Sequence, residues 1–354
     1  MKKTILTVVI VIALIATGVI VTLKSKKDAP PPPGSEIAEY WPFKANTCYE
    51  YEGKGHELAS YNVFNTFIRE NEGETIVQQR LEPALDYNRQ TQVLSLKGGE
   101  LRLINGDTAK YHFEDMTVLP PDPKKEMLVL REPLSLGEKW TVSGTDTSEV
   151  TGVDVEVDTP MGKLKALEIS TSSVGPTGAR YDQKDWYVKD IGHVKMEYSV
   201  NGQPPISSTL KKITENYTLN IPADVYYPIK GESEAGLEEK KISLNTNYDL
   251  LAKINALLSS APESAEFSPI MTSGKVIDIK FATNTSAAMV NFDKSIYGRQ
   301  FESENEERGM LFGAAQTIGH ILGVEQVFVQ ADGKPYSGVY VKLTDDTSFE
   351  VVRN

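Results

Sequence analysis

The sequence predicts a membrane-anchored α+β protein, in which an N-terminal antiparallel β-sandwich or partly open barrel is followed by a two-layer β-α-β-β-α-β domain. Three observations predict it: an uninterrupted apolar run near the N-terminus, a long middle region of short alternating segments, and a last third whose hydrophobic period switches between strand and helix values.

Thr4 to Leu23 carries no charge and is flanked by Lys2, Lys3, Lys24, Lys26 and Lys27. A helix needs about 20 such residues to cross the hydrocarbon core, so the run is long enough to span. Secretory signal peptides have apolar cores of roughly 7–15 residues that end in a small-x-small site. This run is longer and leaves through Leu23-Lys24-Ser25-Lys26-Lys27, which favours an uncleaved anchor over residues 1–27. The single cysteine, Cys48, lies far beyond the run, so there is no lipobox and no internal disulfide. Lysines at both ends nearly balance the positive-inside bias. Because only three residues precede the run and long domains translocate with little regard for charge, the folded part is expected outside the cytoplasm of a single-pass cell-membrane protein.

Residues 28–39, with four consecutive prolines at 30–33, form a stiff polyproline spacer. The formal charge of −12 becomes −17 once the five lysines of residues 1–27 are set aside. An acidic ectodomain excludes nucleic acid as a partner and is compatible with cell wall or basic proteins.

Residues 40–213 read as a β-rich domain. Leu94 to Ile104 is strand, Gly98-Gly99 turn, strand; Val153 to Ile169 is a second hairpin turning between Thr159 and Gly162; Asp185 to Tyr198 is a third, turning around Asp190 to Gly192. Leu134-x-x-Gly137-x-x-Trp140 and Trp186-Tyr187-x-x-x-Ile191-Gly192-His193 resemble β-rich bacterial surface domains of unknown function, a likeness without a mechanism.

Residues 220–345 mix the two periods, and residues 346–354 form a tail. Ala223 to Ile229 reads as a strand, Asn245 to Leu258 as a helix through Leu250, Leu251, Ile254, Leu257 and Leu258, and Lys275 to Phe281 and Ala288 to Asp293 as half-buried strands. A second helix opens at the capping pair Ser303 and Glu306, carries a stripe through Met310, Leu311, Ala314, Ile318 and Ile321, and closes at Gly323. Val324 to Gln330 is the last strand.

That order resembles the GerMN (sporulation and spore germination) domain family. The residues carrying the likeness are Val225-Tyr226-Tyr227, Leu257 to Pro262, Pro269 before Val276 to Lys280, Ala288 to Asp293, and Val324 to Gly333. The family's Gly-Pro pair stands here as Ala261-Pro262, and its basic-rich turn into a paired strand as Glu238 to Ile242. The resemblance implies an extracytoplasmic domain that binds or helps assemble envelope structures, without catalysis and without a cofactor.

Candidate chemistry is sparse. The four histidines, His56, His112, His193 and His320, lack metal-ligand spacing and read as surface or satisfied core side chains. Asp154, Glu156 and Asp158 read as the solvated face of a strand whose other face is Val153, Val155 and Val157. Glu302, Glu304, Glu306 and Glu307 sit at a helix N-terminus, where the macrodipole favours them. Nucleophile elbows and phosphate loops are absent, so no catalytic or metal-binding residue is assigned.

Two features are candidate sites. Gly309, Gly313 and Gly319 cost helix stability, so they mark close packing, either on the domain's own sheet or at an interface with a partner or a second copy. Tyr40, Trp41, Phe43, Tyr49 and Tyr51 either fill the first strand's core or line a ligand mouth. Two functions follow: a non-enzymatic, membrane-anchored envelope or sporulation-associated protein contacting envelope proteins, cell-wall proteins or peptidoglycan, or a surface protein holding an apolar or glycan ligand in the β-domain.

Overall fold

The computed structural model describes residues 35–83, 90–108, 113–144, 146–281 and 286–352. The expected anchor over 1–27, most of the 28–39 spacer and His112 lie outside the described residues. Among the described residues no helix is long and apolar enough to cross a membrane. Two compact units are present, residues 35–218 with 245–247, and residues 219–244 with 248–352.

The expected α+β layout is overturned: strands dominate the described chain, and the first unit is neither a sandwich nor a partly open barrel. After a short helix α1 (Glu36–Tyr40) come β1 (Cys48–Lys54), β2 (Tyr61–Asn71), β3 (Glu74–Pro83), β4 (Gln90–Lys97), β5 (Glu100–Thr108) and β6 (Met127–Arg131). Then follow β7 (Lys139–Ser143), β8 (Asp146–Thr159), β9 (Gly162–Val174), β10 (Arg180–Val188), β11 (Gly192–Val200) and β12 (Ile206–Thr214). Among the described residues these twelve form one antiparallel sheet in the order β6-β5-β4-β3-β2-β1-β12-β11-β10-β9-β8-β7. Pairing of β1 with β12 brings the two end strands, β6 and β7, side by side, so the sheet curls into a nearly closed barrel. Closure removes the exposed edges that a long flat sheet would present.

Helix α1 fits where β6 passes to β7. Glu132 accepts from Ser35 Oγ at 2.5 Å and Ile37 N at 3.0 Å, and Leu134 N donates to Glu36 at 3.0 Å. Ile37 and Trp41 then join Leu130, Trp140 and Leu167 in an apolar cluster. A second cluster gathers Tyr49, Tyr51, Val63, Trp186 and Leu210. The alternation expected along β8 is broken by a bulge, in which Asp154 adopts a φ of 56° and Val153 turns outward.

Residues 245–247, expected to begin a helix, complete this first unit instead. β2 carries an irregularity between Asn65 and Phe67. Thr246 Oγ1 donates to Asn65 O at 2.7 Å, Asn247 N donates to Thr66 O at 2.8 Å, and Ile68 N donates to the Asn247 side chain at 2.8 Å. Asn46 and Thr246 exchange two further bonds of 2.8 Å each. Backbone groups released by the bulge are thereby satisfied.

The second unit also departs from a single two-layer sheet. Among the described residues its first strand β13 (Leu219–Pro228) pairs only with β14 (Ala235–Leu244), in a separate ribbon. β14 is missing from the expected order because charges fill it, with only Ile242 and Leu244 buried. Helix α2 (Leu250–Leu258) starts late, capped by Asp249. β15 (Val276–Phe281), β16 (Ala287–Phe292), β17 (Gln326–Ala331), β18 (Lys334–Pro335) and β19 (Phe349–Glu350) form the second sheet. Strands β16 and β17 are parallel, joined by the crossover helix α3 (Glu304–Leu322), which Ser303 caps and Gly323 closes at a φ of 66°.

Glu307, in the first turn of α3, is fully buried. Its carboxylate accepts from the backbone N–H of Val339, Tyr340 and Val341 at 3.1, 2.7 and 2.9 Å and from Tyr336 Oη at 2.7 Å. Position 338 must be glycine, because a Cβ there would overlap the same carboxylate. Glu307→Gln should therefore cost about 2–4 kcal/mol, since the amide turns a donor toward donors and removes the charge. Urea unfolding of the full chain measures it; wild-type stability in the variant would show that packing alone holds residues 336–341. Cys48 is buried, and burial with Glu50 and Glu82 nearby pushes its thiol up to about 12. Iodoacetamide at pH 8 should label it only after unfolding, as mass spectrometry reports.

Candidate binding cleft

Alternation along the first strands sends one set of side chains to a common face. Tyr49 and Tyr51 of β1 stand opposite Val63 and Tyr61 of β2. Asn65 of β2 stands opposite Gln79 of β3, and Gln79 opposite Gln92 of β4. Together with Trp41, Pro42, Leu81, Ile191, Gly192 and His193 these residues line a small open cleft of about 50 Å³, room for a few waters.

One wall is aromatic. Tyr51 and Tyr61 stack with centroids 4.8 Å apart and planes 18° from parallel. Tyr51 Oη donates to His193 O at 2.7 Å, tying β1 to the start of β11. The His193 ring lies nearly parallel to Trp41, 15° off at 6.5 Å, and its Nε2 is 2.9 Å from Asp185 Oδ1. Gln183 Nε2 donates to the other Asp185 oxygen at 2.7 Å. Burial pushes the Tyr49 hydroxyl up to about 12 and holds Tyr51 well above the ordinary tyrosine value, so both stay protonated and neutral.

The adjoining surface is a row of primary amides. Asn65 Nδ2 donates to Lys44 O at 2.9 Å, Gln79 Nε2 to Asn65 Oδ1 at 2.9 Å, and Gln92 Nε2 to Gln79 Oε1 at 2.8 Å. Cross-strand neighbours in register make this ladder geometrically natural.

No family model matches this chain, and no curated protein matches it. Among solved structures it is similar to a Bacteroides fragilis protein described as exported, with a YmcC-like fold: 13% identity over 50% of this chain and 99% of that one, TM-score 0.32. It is also similar to a Parabacteroides distasonis protein described as a lipoprotein, at 11% identity over 49% and 98% of the two chains, TM-score 0.33. A third likeness is to the tandem GerMN domains of the Bacillus subtilis sporulation protein GerM, at 18% identity over 35% of this chain and 47% of that one, TM-score 0.24. At such scores and identities the likenesses assign neither family nor activity.

Of the aromatic residues singled out in the sequence, Trp41, Tyr49 and Tyr51 line the cleft. Tyr40 is buried beside the Lys189 ammonium, 5.3 Å from its ring centre, and Phe43 is half-buried against Trp41; neither lines it. Sequence reasoning missed Tyr61, the three amides and the His193–Asp185 pair. Among the described residues no group of three or more His, Cys, Asp or Glu side chains is placed to hold a metal.

The three helix glycines sit against the second unit's own elements. A Cβ on Gly309 would come within 2.9 Å of Glu232 O, one on Gly313 within 2.3 Å of Tyr226 O, and one on Gly319 within 2.3 Å of a Val351 methyl. Gly313→Ala therefore sets a helix-propensity gain of about 1 kcal/mol against overlap with a strand carbonyl. The overlap should win, leaving a net loss of about 1–3 kcal/mol in thermal or urea unfolding. A stabilised variant would show that α3 lifts easily off β13.

Proposed function

We propose that this protein is a non-enzymatic, extracytoplasmic binding protein that holds its ligand in the cleft of the first unit, the second unit being an accessory that meets other envelope or cell-wall components. The observation that carries the reading is the cleft itself. It is concave and small, and combines aromatic walls with a few convergent polar groups, the composition of small-molecule sites. His193 Nε2 is held by Asp185, and the Tyr51 hydroxyl donates to a backbone carbonyl. Export is supported by the apolar run from Thr4 to Leu23 and by the acidic remainder of the chain.

Binding to the native state raises unfolding temperature. A soluble extract of the cell envelope should raise that of the full chain, and Ile191→Trp, which fills the cleft, should abolish the rise. An equal rise in both proteins would place binding elsewhere and sink the reading. Extracytoplasmic exposure is checked separately, by adding protease to intact spheroplasts: the folded units should be digested, and full protection would contradict export.

A further inference from the structure

We propose that two copies of this chain pair through the free edge of the second unit's sheet, β15 running antiparallel to β15 of the second copy about a two-fold axis at Ile279. The pairing is independent of the cleft. β15 stands at the end of the order β15-β16-β17-β18, and among the described residues no strand pairs with its outer side. Such an edge presents N–H and C=O groups that a further strand can take up.

Backbone direction identifies the groups on offer. Asp293 N donates to Lys275 O at 2.9 Å, and Asp332 N donates to Phe292 O at 2.8 Å. Asp293 thus faces β15 and Phe292 faces β17, so by alternation Asn291 and Met289 face β15 and Val290 does not. Asp278 and Lys280, opposite Asn291 and Met289, therefore bond β16 through their backbones, whereas Val276 and Ile279, opposite Phe292 and Val290, turn theirs outward. At Val276 the outward groups are already satisfied. Its N–H donates to Asn255 Oδ1 at 2.8 Å and its carbonyl accepts from Asn255 Nδ2 at 2.9 Å, so one side chain of α2 stands in for a neighbouring strand. Among the described residues nothing does the same for Ile279.

The charges along the edge say which strand fits it. Two antiparallel strands related by a two-fold axis perpendicular to their sheet oppose one residue to itself. With Ile279 opposite Ile279 of the second copy, those two exchange both backbone bonds, and Asp278 of each copy stands opposite Lys280 of the other in the closer, non-hydrogen-bonded pairing. Both side chains are open to solvent, 46% and 72%, and share one face, with Lys280 Nζ 3.4 Å from Asp278 Oδ2. Centring the pair on Ile277 or Phe281 would forfeit both ion pairs. A net charge of −12 opposes self-association of the chain, but along β15 the charges of Asp278 and Lys280 cancel. A lysine and a bulge deter indiscriminate pairing at an edge. Here the lysine admits a strand that offers an acid in register, and the bulge leaves Ile277 48% exposed, next to the half-buried Phe281 of the second copy.

The test uses the full chain in detergent micelles. Sedimentation equilibrium, with the detergent matched in density, should show a reversible dimer at or below about 1 mM protein. Lys280→Asp sets like charges across the pair twice and should weaken the dimer about tenfold. Register is read by cross-linking: Asp278→Cys and Lys280→Cys, made in separate chains, mixed and oxidised, should give a covalent dimer, and each alone far less, because only the unlike positions come within disulfide reach. Cys48 is buried and takes no part. Ile279→Pro, which removes an outward N–H and no bond to β16, should dissociate the dimer and serves if a cysteine variant does not fold. A chain that stays monomeric overturns the proposal, as does a dimer that ignores Lys280→Asp and Ile279→Pro, which would be held by another surface such as the apolar run from Thr4 to Leu23. Equal cross-linking of each cysteine variant alone overturns the register.

Discussion

Closure of the first unit's sheet is the constraint from which its interior follows. Twelve strands in one sheet leave two edges, and this chain brings them together by pairing β1 with β12 rather than ending the ladder there. The remaining junction lies between β6 and β7, neighbours in sequence, and α1 is fastened to it through Glu36 and Glu132. The helix that finishes the wall also delivers Trp41 to the interior. The cleft is accordingly a by-product of how the barrel is completed: one side comes from the strands β1 to β4, the other from the segment after α1 and the β10–β11 turn.

Polar groups inside both units are arranged in chains with a sense. In the first unit a backbone carbonyl orients Asn65, which orients Gln79, which orients Gln92. In the second, one carboxylate gathers four donors from a single loop. The two solutions differ in outcome. Glu307 exhausts its acceptors internally and so specifies structure, whereas the amide row ends at the surface of a cavity with an acceptor still to offer.

Much of the local structure was legible in the sequence because its signals are local. Gly98-Gly99, Thr159 to Gly162 and Asp190 to Gly192 do turn hairpins, and Ser303 and Gly323 do bound a helix. Closure was not legible, since nothing in a strand's own residues states that the first will pair with the twelfth. β14 escaped notice because its alternation is between charges and two apolar residues at one end, which removes the periodic signal. The site divides in the same way. Tyr49 and Tyr51 announce a common face by spacing, but Gln79 meets Gln92 only through the register of β3 on β4, and His193 meets Asp185 only across a hairpin with a bulge. Asn247 to Asn245 read as helix because Leu250 onward is one; the bulge in β2 that claims those residues lies far away in sequence.

That claim has a consequence for synthesis. Asn46 and Thr246 are 200 residues apart, and Thr246 reaches Asn65 across 181. During translation the barrel strands emerge well before residue 245, so β2 waits with its bulge unsealed while the β13–β14 ribbon is still being made. Contacts of such separation are the last to form and carry the largest loop-closure cost. The first unit is therefore built from chain on both sides of the β13–β14 ribbon, and its clasp can close only once residues 245–247 have followed that ribbon.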